Sequence, residues 1–106
     1  MDSSPPASRI LRGLIVTSGE IKALRARASL TQGELAGFFG IVPTTVYKWE
    51  RGVNRPNDWQ VAMLDAFAEA EDKAPGVLRK AVKVLYAQGY ARALYLILAA
   101  ATMENA

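Results

Sequence analysis

A short polar segment near the middle of the chain carries side chains suited to contacting nucleic acid. The segment 43–51, PTTVYKWER, predicts a helix that begins at Pro43, because a proline at the first helical position loses no hydrogen bond that the helix needs. Val46 and Trp49 are three residues apart and share one face, which we expect to be buried. The other positions place hydroxyl, phenol, ammonium and guanidinium groups outward, where they can hydrogen-bond to base edges. The candidate base contacts are Thr44, Thr45, Tyr47, Lys48 and Arg51.

These side chains predict different contacts with DNA. Lys48 can donate to O6 or N7 of guanine, and the threonine methyl groups can meet the methyl group of thymine. Tyr47 can stack on a sugar or donate through its hydroxyl, and Arg51, at the helix end, can reach a base or a phosphate. Phosphate contacts fix the register without reading sequence. We expect them from Gln32, Arg55 and Asn57.

The residues around this helix predict a helix-turn-helix unit. Thr31 and Glu34 have the spacing of a capping box, which starts a helix. Gly40 can end that helix in a left-handed conformation, and Pro43 starts the next helix after a short turn. In this geometry the second helix lies in the DNA major groove.

The pattern along the whole chain predicts an all-α fold. A second capping box, at Thr17 and Glu20, starts the first helix, and Pro75 is expected to start the fifth. Helices are expected at about 17–28, 31–39, 43–51, 57–71, 75–88 and 90–102. We divide the chain into an N-terminal tail or arm (1–16), a helix-turn-helix DNA-binding domain (17–72) and a C-terminal helical dimerisation extension (73–106).

The segment 18–64 resembles the helix-turn-helix domain shared by the phage repressor and Cro proteins and many bacterial regulators. The matching residues are Gln32, Ala36, Gly40, Val46, the run WERG at 49–52, and Arg55-Pro56. The resemblance implies a repressor/Cro-like bundle of four to five helices and a dimeric transcriptional regulator, by default an autoregulatory repressor on a palindromic operator. It also implies that Glu50 pairs with Arg25 instead of contacting DNA. One departure is Val42, where the family usually has a serine or threonine cap.

Composition narrows the chemistry further. The 106 residues include no cysteine and no histidine, which excludes disulfides, Cys/His zinc sites, thiol nucleophiles and imidazole bases. Residues 1–57 hold 8 basic and 4 acidic side chains (+4), and residues 58–106 hold 5 basic and 6 acidic (−1). The basic half contains the helix-turn-helix unit, as phosphate contact requires. We expect a cytoplasmic protein without enzymatic activity, cofactor or metal, and the first residues lack the pattern of a signal peptide.

The last predicted helix, YARALYLILAAAT at 90–102, is apolar on nearly every side but too short to cross a bilayer. Such a helix needs burial all round, and a chain of this size has few surfaces to cover it. We therefore predict a homodimer. The candidate interface residues are Leu94, Tyr95, Leu98 and Ala101.

Other interpretations stay open at this point. Carboxylates could bind Mg²⁺ or act as acid and base, although a solvated acidic face explains them and no histidine or phosphate loop supports catalysis. As in antitoxins, the C-terminal helices could bind a toxin or another protein in place of a second copy of the chain, while the helix-turn-helix unit still binds DNA. The N-terminal Arg9 and Arg12 could enter the minor groove or belong to a segment packed on the core. The carboxylates considered are Asp58, Asp65, Glu69, Glu71 and Asp72; Trp59 is expected in the core, and Arg79, Lys80 and Lys83 on a solvated face.

Overall fold

The structure is a computed structural model that describes residues 17–103. These residues form helices and turns, with no strand among them, so the all-α prediction is confirmed. The predicted N-terminal arm, with Arg9 and Arg12, lies outside the described residues. The helices are α1 (Ser18–Arg27), α2 (Gln32–Gly37), α3 (Pro43–Glu50), α4 (Asp58–Lys73), α5 (Val77–Gln88) and α6 (Tyr90–Ala101).

Side-chain caps start three of these helices. The hydroxyl of Thr17 accepts from the Glu20 N–H at 3.1 Å, and the Glu20 carboxylate accepts from the Thr17 N–H at 3.0 Å. Thr31 and Glu34 form the same two bonds at the start of α2. Both predicted capping boxes are therefore confirmed. Asn57 forms an equivalent box at the start of α4.

The start of α5 differs from the prediction. Pro75 was expected to open this helix, but Gly76 has a φ of 92°, in the left-handed region, and the helix begins only at Val77. The buried carboxylate of Glu71, on α4, accepts from the N–H groups of Gly76 at 2.8 Å and Leu78 at 3.2 Å. A side chain of the preceding helix thus satisfies two N–H groups that a helix start otherwise leaves unpaired.

Buried side chains from all six helices form one hydrophobic core. Phe38, after α2, and Phe67 of α4 are fully buried and meet edge to face, with ring centroids 5.4 Å apart. Ala93 and Ile97 of α6 are fully buried in the same core, and α6 packs mainly on α4 and α5. The extension predicted from residue 73 onward therefore shares its core with the preceding helices.

Polar contacts also join α5 and α6 to the other helices. The ammonium group of Lys73 donates to the Ala101 carbonyl at 2.9 Å, which satisfies one carbonyl at the end of α6. Arg79 donates to the Ser29 carbonyl at 3.1 Å and pairs with Glu34 of α2. Arg79 was expected on a solvated face, and its side chain is 41% exposed while it makes these contacts.

Among the described residues, no helix combines the length and the apolar character that crossing a membrane requires.

Candidate nucleic-acid interface

The turn between α2 and α3 is built around Gly40. Its φ of 65° lies in the left-handed region, which most side chains disfavour. The N–H of Ile41 then bonds back to the Ala36 carbonyl at 3.2 Å, and this bond closes the end of α2. Pro43 is the first residue of α3, and Val42 before it provides no side-chain cap. This local geometry matches the prediction.

One face of α3 is held in the core, and this exposes the opposite face. Val46 and Trp49 are buried, and the Trp49 ring meets Phe39 edge to face at a centroid distance of 5.7 Å. The predicted base-contacting residues occupy the remaining positions. Thr44, Tyr47, Lys48 and Arg51 are exposed, and Thr45 is half-buried.

Two of these exposed side chains contact each other. The guanidinium carbon of Arg51 lies 5.7 Å from the centroid of the Tyr47 ring, within the range of a cation–π interaction. The two residues are four apart and therefore neighbours on the helix surface.

An ion pair fixes the end of α3 to α1. Glu50 accepts from Nε of Arg25 at 2.6 Å and from Nη2 at 3.0 Å. Nη1 of Arg25 donates to the Leu30 carbonyl at 3.1 Å. The Glu50 side chain is only 5% exposed. The pair that the resemblance implies is thus present, and Glu50 faces the scaffold and not the exposed side of α3.

The surroundings of this pair keep both groups charged. Burial would raise the pKa of Glu50, but hydrogen bonds from Arg25 and Gln32, with the positive charges of Arg25 and Lys22, lower that pKa below its usual value. The hydrogen bond to Glu50 raises the pKa of Arg25, against the effect of burial. The pair is therefore ionised at neutral pH and loses the charge of Glu50 only in acid.

Two of the three predicted phosphate contacts also bond within the protein. Nε2 of Gln32 donates to Oε1 of Glu50 at 3.2 Å, which ties the start of α2 to the ion pair. Oδ1 of Asn57 accepts from the Gln60 N–H at 2.8 Å as the cap of α4. A side-chain amide carries two N–H donors, so each residue retains a donor that these bonds do not use.

The third predicted phosphate contact, Arg55, is exposed. It lies at a shallow groove that runs between the start of α1 and the segment after α3. Both polar and apolar side chains line this groove, and Arg55 is exposed at it. The lining residues are Thr17, Ser18, Ile21, Trp49, Gly52, Asn54, Arg55 and Pro56.

The acidic residues of α4 do not converge on a metal site. Within residues 17–103, no group of three or more His, Cys, Asp or Glu side chains could hold a metal ion. Glu71 caps α5, and Asp72 pairs with Arg27 of α1 at 2.9 Å. These two carboxylates therefore have structural partners.

The sequence did not reveal every contact near α3. The bond from Gln32 to Glu50 joins residues 18 apart, so only the tertiary packing brings them together. The Tyr47–Arg51 contact follows helical spacing and could have been read from it. Trp59 was expected in the core but is 53% exposed, and its ring meets Phe39 edge to face with the centroids 5.9 Å apart. Trp59 is the second residue of α4, and its sequence position gave no signal of this exposure.

Comparison with known proteins finds one family model that is similar to this part of the chain. The family model described as helix-turn-helix matches residues 21–58, which include most of α1, the whole of α2 and α3, and the start of α4. No curated protein and no solved structure matches the chain significantly. The matched segment contains the exposed face of α3, the Arg25–Glu50 pair and Arg55. In this segment the chain is similar to helix-turn-helix domains of the phage repressor and Cro type, and the similarity supports a DNA-binding transcription regulator.

Proposed function

We propose that this protein is a repressor that binds a palindromic operator as a twofold dimer, with α3 lying in the major groove. The observation that carries the proposal is the exposed polar face of α3, which is fixed to the scaffold on two sides. Buried Val46 and Trp49 hold the helix from below, and the Arg25–Glu50 pair holds its end. A rigidly held helix can present its side chains to base edges at little entropic cost.

Sequence reading is assigned to the exposed face of α3. Lys48 donates to guanine, and Thr44 and Thr45 contact thymine or a phosphate. Arg51, resting on Tyr47, reaches a base or a phosphate beyond the end of the helix. The amide groups of Gln32 and Asn57 and the guanidinium of Arg55 hold the phosphates on either side.

Dimerisation is assigned to the exposed face of α6. One face of this helix is already buried in its own protomer. Only the opposite, exposed face therefore still needs a partner to cover its apolar side chains. Leu94 and Ala101, both predicted interface residues, are half-buried and pack against the core of the protomer. Tyr95 is 70% exposed and Leu98 is 40% exposed. These two residues are three apart on one stripe, and they form the centre of the proposed interface.

Two copies are needed because one helix contacts too few base pairs to select a site in a genome. In a twofold dimer the recognition helices meet two half-sites about 34 Å apart, one turn of DNA. The operator is then an inverted repeat, because its symmetry matches that of the protein. A dimer bound over a promoter excludes polymerase. Where the operator lies in the promoter of the protein's own operon, the protein represses its own expression.

Selection of bound sequences from random duplex DNA tests this proposal. The purified protein is mixed with the library near physiological salt, because nonspecific binding dominates at low salt. We expect the recovered sequences to share an inverted repeat with half-site centres about one helical turn apart. A single asymmetric site contradicts the dimer, and recovery of no common sequence contradicts operator binding. A reporter gene under the recovered site then distinguishes repression from activation.

A further inference from the structure

The start of the recognition helix carries an exposed apolar side chain. Val42, the residue before α3, is 61% exposed although it is a large hydrophobic residue, and Pro43 beside it is also exposed. Neither side chain offers a hydrogen-bond donor or acceptor. The first polar side chain of the helix is Thr44. The first two side chains at the start of α3, those of Val42 and Pro43, therefore present only hydrocarbon groups.

Val42 has little role in holding the fold together. It is absent from the hydrophobic core, and its side chain makes no cap for the helix. Its backbone contributes one bond, because its carbonyl accepts from the Thr45 N–H at 3.0 Å. The two methyl groups are thus available to contact another molecule.

These methyl groups are held in a fixed position. A residue before proline is confined to extended geometry, and Val42 has a φ of −87° and a ψ of 154°. Valine is also stiff at χ1, because its β-carbon is branched. The ring of Pro43 rests near α2, since a Cβ built on Gly33 would lie 3.6 Å from its Cγ atom. Binding through Val42 would therefore cost little conformational entropy.

In helix-turn-helix complexes the N-terminal residues of the recognition helix contact base edges. The major groove presents one apolar group, the C5 methyl of thymine. We propose that Val42 is a specificity-determining residue that contacts the thymine methyl at one position in each half-site. This inference rests on the proposed function and adds to it a base preference, A·T with thymine under the start of α3.

Single-atom changes in the operator test this contact. Each thymine of the selected operator is replaced in turn by deoxyuridine, which lacks only the methyl group, and dissociation constants are measured by fluorescence anisotropy. For the wild-type protein, we expect one thymine per half-site at which uracil weakens binding about fourfold, the equivalent of one buried methyl group. Replacing that thymine by cytosine also weakens binding, and the 5-methylcytosine operator is expected to bind about fourfold more tightly than the cytosine operator.

Matched variants assign the effect to Val42. In Val42→Ala, the thymine-to-uracil ratio at that position falls to about one, while affinity for the uracil operator stays near the wild-type value. Val53→Ala removes the same atoms from an equally exposed valine (67%) beyond the other end of α3. This control is expected to keep the wild-type ratio at the Val42 position.

The outcomes separate this inference from the proposed function. One outcome is a selected operator at which wild type and Val42→Ala show the same thymine-to-uracil ratio at every position. That result overturns the thymine contact alone. Loss of the ratio in Val53→Ala as well would also overturn it, because the effect would then not belong to Val42. Failure to select any operator overturns the proposed function, and this inference with it.

Discussion

The side chains around α3 divide between those that hold the helix and those that face outward. Glu50 sits at the end of the recognition helix and carries a charge, yet its carboxylate accepts from Arg25 and Gln32 and is almost fully buried. Lys48, two residues earlier, is exposed. A substitution at either position is expected to weaken DNA binding, but the physical causes differ, and different measurements reveal them.

Lys48→Ala is expected to remove discrimination at particular base pairs. A lysine that donates to guanine O6 or N7 contributes on the order of 1–3 kcal/mol of preference for that base. Affinity for the selected operator should therefore fall about tenfold or more, while affinity for operators already altered at that base pair should change little. Binding curves for a panel of single-base operator variants measure this.

Arg55→Ala provides the contrast for Lys48. As a phosphate contact, Arg55 should add affinity on every sequence alike, and its loss should lower the slope of log K against log salt by about one. Equal weakening of all operators by Lys48→Ala, without a base-specific change, would contradict base reading by Lys48.

Glu50→Gln is expected to destabilise the fold near neutral pH by about 2 kcal/mol, because it removes the charge from a buried hydrogen-bonded pair. The pKa of Glu50 is lowered in the folded protein, so its charge stabilises the fold fully above about 4.5, the usual value. That contribution is lost as the pH falls through the lower folded-state value. Urea unfolding from pH 7 to pH 3 should therefore show the two proteins converging in acid.

The double variant Arg25→Gln/Glu50→Gln tests whether the two residues act as a unit. If they do, the double variant costs little more than either single variant, because the first substitution already breaks the pair. Fully additive losses would contradict this. Glu50→Gln should also weaken binding to all operators alike, because α3 as a whole loses its anchor.

At the scale of the helices, sequence patterns predict ends well where the cap is local. The capping boxes at Thr17 and Thr31 join residues three apart, so they can be read directly. The start of α5 could not be read in this way, because its cap comes from Glu71 on another helix. Proline near a helix start suggested Pro75 instead. The left-handed Gly76 lies between Pro75 and the helix, and its N–H donates to that carboxylate.

The same limit applies to the candidate site. The exposed face of α3 follows from its periodicity, because Val46 and Trp49 are its only strongly apolar inward residues. The exposure of Trp59 and the bond from Gln32 to Glu50 depend on how α2, α3 and α4 pack together. Contacts of this kind have no periodicity along the chain.

Glu71→Ala is expected to destabilise the protein by about 2 kcal/mol. The substitution leaves the N–H groups of Gly76 and Leu78 without their acceptor, and the second bond is buried. The negative charge at the start of α5 is lost as well. Urea unfolding monitored by circular dichroism measures the change, and Glu71→Gln, which keeps an acceptor oxygen, should recover part of it.

Asp72→Ala is the neighbouring control for Glu71. Its ion pair with Arg27 is solvent-accessible on both sides and should contribute at most about 1 kcal/mol. A larger loss in Asp72→Ala than in Glu71→Ala would contradict the assignment of Glu71 as the cap of α5.

At the scale of the whole molecule, the C-terminal helices and the DNA-binding unit share one core. Glu34 of α2 pairs with Arg79 of α5, and Lys73 of α4 bonds to the end of α6. A dimer formed through α6 would therefore fix the distance between two recognition helices through packed structure, without a flexible linker. Such rigidity favours one spacing between half-sites over others.

Leu98→Glu and Tyr95→Glu are expected to give monomers. Each substitution places a charge on the exposed stripe of α6, where a second copy would have to bury it without a partner, and burying an unpaired charge costs several kcal/mol. Because both side chains are exposed in the protomer, the fold should survive, with a circular dichroism spectrum like that of the wild type. Sedimentation equilibrium measures the mass, and operator binding should weaken at least a hundredfold as one half-site is lost.

Ala62→Glu adds the same charge to an exposed position on α4 and should leave the dimer intact. A wild-type protein that is itself monomeric would contradict the proposed dimer. A Leu98→Glu variant that keeps the dimer mass would instead move the proposed interface away from α6.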